Sequence, residues 1–75
     1  MSNAEVIRER ALALATSGED RDQAVRELER SAAGRRVAVV RARQQMEASL
    51  GDESEQADAA RAIELLDEVL VKLPA

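Results

Sequence analysis

The sequence predicts an all-α protein, a small antiparallel bundle of three helices, or of four if the middle one breaks at Gly34. Three observations predict it. Aliphatic residues recur at three- and four-residue spacing along most of the chain. Strand-like alternation is absent; only Val37–Val40 could pass for a strand by composition, and strong helix formers flank it. The punctuating residues Gly18, Gly51 and Pro74 fall where the periodic stretches end.

The first helix is expected from about Ala4 to Ala15. Ser2 followed by Glu5 has the spacing of a capping box, in which each side chain satisfies a backbone N–H of the first turn. Ile7, Ala11 and Leu14 form one stripe, with Val6 beside it. Thr16, Ser17 and Gly18 interrupt the pattern, and Gly18 suits a left-handed C-terminal cap.

The second helix begins near Asp20, where Asp20 with Gln23 reads as another cap and Asp22 adds negative charge to a helix N-terminus. Its apolar positions are Val25, Leu28 and Ala32, then Val39, Ala42 and Met46, with Arg35 at the one core-phased position that is polar. Because the phase survives across Gly34, one helix from about Asp20 to Ser49 is the expectation, and a lone Gly costs a helix only ~1 kcal/mol against Ala. The alternative is a turn at Ala33-Gly34-Arg35. The run Val37–Val40 puts apolar groups nearly all round, so it is expected to be the most buried stretch.

Leu50 to Ser54 is the clearest loop, with Asp52 or Ser54 able to cap the next helix. That last helix is expected from about Glu55 to Leu73, with Ala59, Ala62, Ile63, Leu66, Val69, Leu70 and Leu73 on its apolar stripe, a Glu68–Lys72 pair one turn apart, and Pro74 as its stop. It should pack antiparallel on Arg35–Ser49, with the first helix closing the face around Val25, Leu28 and Ala32. The expected core is Ile7, Leu14, Val25, Leu28, Val39, Met46, Ile63, Leu66, Val69 and Leu70.

Composition narrows the rest. The 75 residues suffice for one helical domain, 1–75. Phe, Trp and Tyr are absent, and 15 of the 34 apolar residues are Ala, so the core is thin. Chains of this size draw no more than ~3–5 kcal/mol from one core without support. With no Cys and no His, that support is neither a disulfide nor a zinc site, which leaves well-formed helices, self-association or a partner. No apolar run reaches the ~20 residues of a membrane span, and the N-terminus lacks a basic-then-apolar leader, so the expected location is the cytoplasm. Ten Arg against one Lys is the bias of GC-rich coding.

The last helix, from Ala59 to Pro74, resembles the second helix of a tetratricopeptide repeat, with Ala62, Leu66 and Pro74 at the places of that helix's small residue, large apolar residue and closing Pro. Gly18 to Leu28 is similar to the repeat's Gly-to-Ala turn and helix. Two such units would cover 4–33 and 35–74, and the resemblance implies a helical-hairpin scaffold that binds a peptide or another protein. The repeat's aromatic positions hold no aromatics here, and Ala24 to Ala62 spans more than the usual ~34-residue period. Length, acidity and helix content are also similar to acyl carrier proteins, but no Asp-Ser-Leu attachment motif stands at a helix start.

Charge is segregated. Arg30, Arg35, Arg36, Arg41 and Arg43 occupy a stretch with no acid, and eight acids against Arg61 alone lie between Glu47 and Glu68. An Arg cluster can bind phosphate, but an antiparallel hairpin would put Arg41 and Arg43 level with Glu64 and Arg61, and Arg35 and Arg36 level with Val69 and Leu70, a turn from Asp67 and Glu68. Mutual neutralisation is the expectation. Nucleic-acid contact through Arg35, Arg36, Arg41 and Arg43 is the alternative, disfavoured by the net charge of −4 and the lack of aromatics to stack on bases. Arg35 reads as a long side chain reaching out of the core.

No motif organises a nucleophile or general base without His or Cys. Glu64, Asp67 and Glu68 lack the His that di-iron helical sites add. The chain is therefore expected to be no enzyme, with no cofactor, metal or catalytic residue. The leading expectation is a protein–protein interaction or oligomerisation module, its apolar contacts drawn from groups left over once the core is filled: Leu12, Val40, Leu65 and Val71.

Overall fold

The computed structural model describes residues 3–50 and 56–73, and among these the chain forms four helices and no strand: α1 (Asn3–Ser17), α2 (Arg21–Ala32), α3 (Arg36–Ser49) and α4 (Gln56–Lys72). The expected Ser2 cap, the loop residues 51–54 with their caps, and the Pro74 stop lie outside the described residues.

The middle segment is two helices, not one. Ala33 closes α2 in the left-handed region (φ 50°, ψ 40°), its N–H donating to the Glu29 carbonyl. Gly34 follows at φ 77°, and the Arg35 N–H returns to the Ala32 carbonyl at 2.9 Å. Two consecutive left-handed residues reverse the chain at once, and the Gly without a Cβ makes this cheap. An unbroken helix over 20–49 would extend ~45 Å at 1.5 Å per residue, beyond anything the ~25 Å neighbouring helices could cover; the longest dimension of the fold is 33 Å. The phase survives Gly34 because a three-residue turn replaces about one helical turn. Ala32 and Val39 both remain core residues, on different helices.

Two further expectations change with that break. Arg35 is not at a core position: it is the exposed N-cap of α3, and its carbonyl receives the Val39 N–H at 3.2 Å. The run Val37–Val40 is not uniformly buried. Val39 is fully enclosed, Ala38 and Val40 are half-buried, and Val37 is 70% exposed, because in the first turn of α3 it points opposite to Val39, Ala42 and Met46.

The α1–α2 link behaves as expected at Gly18, which takes φ 73°. The Ser17 hydroxyl donates to the Leu14 carbonyl at 3.0 Å and accepts from the Glu19 N–H, closing the helix end. Asp20 is the N-cap of α2 but makes no side-chain cap bond; its contribution is the carbonyl that accepts the Ala24 N–H at 2.9 Å.

The helices run up, down, up, down. The centre is the antiparallel pair α1 and α4, with α2 and α3 flanking it and barely touching one another. Thus α1 does more than cover the α2 face: it packs on all three other helices. Nine of the ten expected core residues are buried; Leu70 is half-buried against the core. Eight of the buried apolar residues are alanines, including Ala11 and Ala62 of the central pair, both fully enclosed. Small side chains let the helix backbones approach, which compensates in packing for the area that an Ala core lacks.

Candidate functional site

The α3/α4 hairpin holds most of the candidate residues. Its register is pinned at two levels. Arg36 donates to the Leu70 carbonyl at 3.2 Å, one of the C-terminal carbonyls that α4 leaves without a helical partner. Further up, Arg43 Nε donates to Asp67 Oδ1 at 2.5 Å, and Arg43 also pairs with Glu47 one turn on. The expected neutralisation across the hairpin is therefore carried by Arg43. Arg36 caps a helix end, where the dipole favours a cation. Arg35 and Arg41 are exposed and pair with no carboxylate among the described residues. The four arginines thus divide between two structural roles and two groups left open to solvent.

Acidic residues of α4 turn partly toward α2. Glu68 pairs with Arg21 at 2.9 Å, and Lys72 reaches Glu29 of α2 at 3.8 Å, so the expected Glu68–Lys72 pair is replaced by two contacts between helices. All are at least one-third exposed and screened by solvent.

The apolar candidates separate as well. Val71 is 85% exposed. Val40 and Leu12 are half-buried, with Leu12 packed against the core. Leu65 is not left over: at 4% exposure it belongs to the core, because the closely packed α1 and the start of α2 cover a wider arc of α4 than one heptad stripe would require. With Leu14 it lies along a shallow cleft of about 380 Å³ rimmed by Glu19, Arg61 and Glu64. Mixed charge and half-open walls give this cleft no convergent polar set of the kind that orients a small molecule.

Two exposed apolar residues escape the sequence reading, Val37 and Val6, the latter 43% exposed. For Val37 the available signal is the alternative turn at Gly34, which puts it in a first turn opposite the core stripe. Val37 and Val71 come to the same end of the hairpin, since Arg36 meets the Leu70 carbonyl there. Val40 and Leu70, both half-buried, lie on the neighbouring turns.

Among the described residues, the group with a shifted titration is Glu19, in the α1–α2 link. Its Oε2 is closed off from solvent, and that loss of hydration, then the charge of Glu27 and a hydrogen bond shared with it, and then Asp20, raise its pKa above the ordinary 4.5. No three carboxylates among the described residues converge as metal ligands would. Among the same residues no helix is long and apolar enough to cross a membrane.

Comparisons with protein-family models, with curated proteins and with solved structures return no match to this chain.

Proposed function

We propose that this chain is a non-enzymatic helical interaction module that binds protein through the outer face of its α3/α4 hairpin. The observation that carries the reading is the exposure of Val37 and Val71 at one end of that hairpin, beside half-buried Val40 and Leu70 and exposed Arg41. Two large aliphatic groups brought to one end of a hairpin, unlike apolar residues scattered singly, support a surface that a partner covers. The helical pairs α1–α2 and α3–α4 divide at residues 33–35, the boundary that the tetratricopeptide resemblance requires, and that resemblance supports a scaffold for protein contact. The closure of α1 on α4 occupies space that an open repeat array would offer to a peptide, which favours the outer surface over an inner groove.

A photo-crosslinking residue placed at Val37 or at Val71 in cells tests this. A discrete protein adduct, formed from these positions and not from Glu9 or Asp22, is the expected result; adducts at all four positions, or at none, would overturn it. Contact with nucleic acid is the competing function. It would use Arg35 and Arg41, since Arg36 and Arg43 are engaged within the hairpin. Titration of mixed-sequence DNA and RNA at low and moderate salt separates the two, because phosphate contact weakens steeply with salt. No salt-sensitive binding is expected.

A further inference from the structure

We propose that the partner for the α3/α4 face is a second copy of this chain, with α3 of each copy laid on α4 of the other about a two-fold axis parallel to the helices. This rests on the interaction reading above and names its occupant.

The argument comes from what the antiparallel register puts at each level of the face. Outward residues on α3 are Val37, Arg41, Gln44 and Ala48; on α4 they are Ala57, Ala60, Arg61, Glu64 and Val71, all exposed, with Arg61 level with uncharged Gln44. The Arg36–Leu70 and Arg43–Asp67 contacts bring Val37 level with Val71 and Arg41 level with Glu64, with Ala48 toward Ala57 and Ala60 at the far end. A two-fold axis running along the hairpin, between its helices, keeps each level opposite itself and exchanges α3 for α4. Val37 then meets Val71 of the second copy, Arg41 meets Glu64, and the small alanines meet alanines, each contact occurring twice, as an isologous interface requires.

Charge selects this arrangement. Neither Arg41 nor Glu64 has an ion-pair or hydrogen-bond partner among the described residues. The other face-to-face dyad, perpendicular to the helices, would set Arg41 against Arg41 and Glu64 against Glu64, and like charges held together oppose association. Of the two, the dyad along the hairpin is the one that sets Arg41 against Glu64 between copies. Size sets the strength. The face carries only two large exposed aliphatic groups, Val37 and Val71, and otherwise small or charged side chains, so little apolar area is buried and the dimer is weak and concentration-dependent.

Sedimentation equilibrium of the full chain across a dilution series from roughly 5 µM to 1 mM tests this, the range being that of small interfaces. Wild type is expected to pass from monomer to dimer. Arg41→Glu alone and Glu64→Arg alone should each weaken association at least about tenfold, since each places like charges together twice. Mixed in equal amounts, these two variants should form a heterodimer close to wild-type strength. In that heterodimer the acid introduced at position 41 of one copy faces the arginine introduced at position 64 of the other, and native Glu64 faces native Arg41 at the second contact. Both positions are exposed, so circular dichroism should show unchanged helix content. A wild-type chain monomeric at 1 mM, or an equal mixture that stays monomeric, overturns the proposal. If the wild type is monomeric while Val71 crosslinks to a different protein, the dimer fails and the interaction module stands; if neither is seen, both fail.

Discussion

At the level of single residues, Gly34 and Glu19 carry the most distinctive chemistry. Gly34 sits at φ 77° directly after Ala33 at φ 50°, and a Cβ added at Gly34 would meet nothing within 4 Å. The cost of Gly34→Ala is therefore backbone strain without a clash, and urea denaturation should register a loss of ~1–2 kcal/mol. An unchanged or raised midpoint would mean that the α2–α3 turn does not hold this geometry. Glu19 makes a different prediction. Its raised pKa means that the folded chain holds a proton which the unfolded chain gives up more easily, so its contribution to stability is complete below about 4.5 and is lost as pH rises through the higher folded value. Glu19→Gln, which keeps the neutral shape, should remove this component of the slope of denaturation midpoint against pH over the weakly acidic range. The same slope in variant and wild type would show that burial, Glu27 and Asp20 do not act on Glu19.

Between elements, the α3/α4 hairpin is held by aliphatic packing, with one ion pair across it among the described residues. Arg43 meets Asp67 from a side chain about one-third exposed, so solvent screens the pair and a double-mutant cycle with Arg43→Ala and Asp67→Asn should return a coupling of no more than ~1 kcal/mol. A coupling of several kcal/mol would mark the pair as the main fastening. Helix periodicity locates both helices of this hairpin, whose antiparallel sense follows from the short stretch of sequence between them. It does not locate the α2–α3 turn. The signals at Gly34 are weak: one Gly, no Pro, and an apolar phase that a three-residue turn leaves intact. That ambiguity extends to Arg35 and Val37, whose positions depend on where α3 starts.

For the molecule as a whole, stability depends on how tightly four short helices close around a core rich in alanine. Leu66 is fully enclosed where α4 packs at the centre, and Leu66→Ala should cost ~2–5 kcal/mol in a urea titration, a large share of what so small a domain has. Ala62→Leu tests the opposite limit. Ala62 is fully enclosed, so the extra atoms of a leucine have to displace their neighbours, and thermal or urea denaturation should show a loss of ~1–3 kcal/mol, although the change adds apolar surface. If Ala62→Leu stabilises the fold, the central pair is not closely packed.

Helical class and nine of the ten expected core residues are readable in the chain because amphipathic spacing is a local property, written within a few helical turns; the antiparallel sense of α3 and α4 follows from the short stretch between them. Three things needed the packed fold. Leu65 is buried since two neighbours cover more of α4 than its own stripe specifies. Arg43, not Arg35 or Arg41, clamps the hairpin since, of these three, it is the one whose side chain meets a carboxylate across it. Val37 and Val71 come to one end since the chain reverses at Gly34 and α3 and α4 lie side by side. Each depends on where distant segments come together, and a linear pattern of oily and charged residues constrains that far less than it constrains the helices themselves.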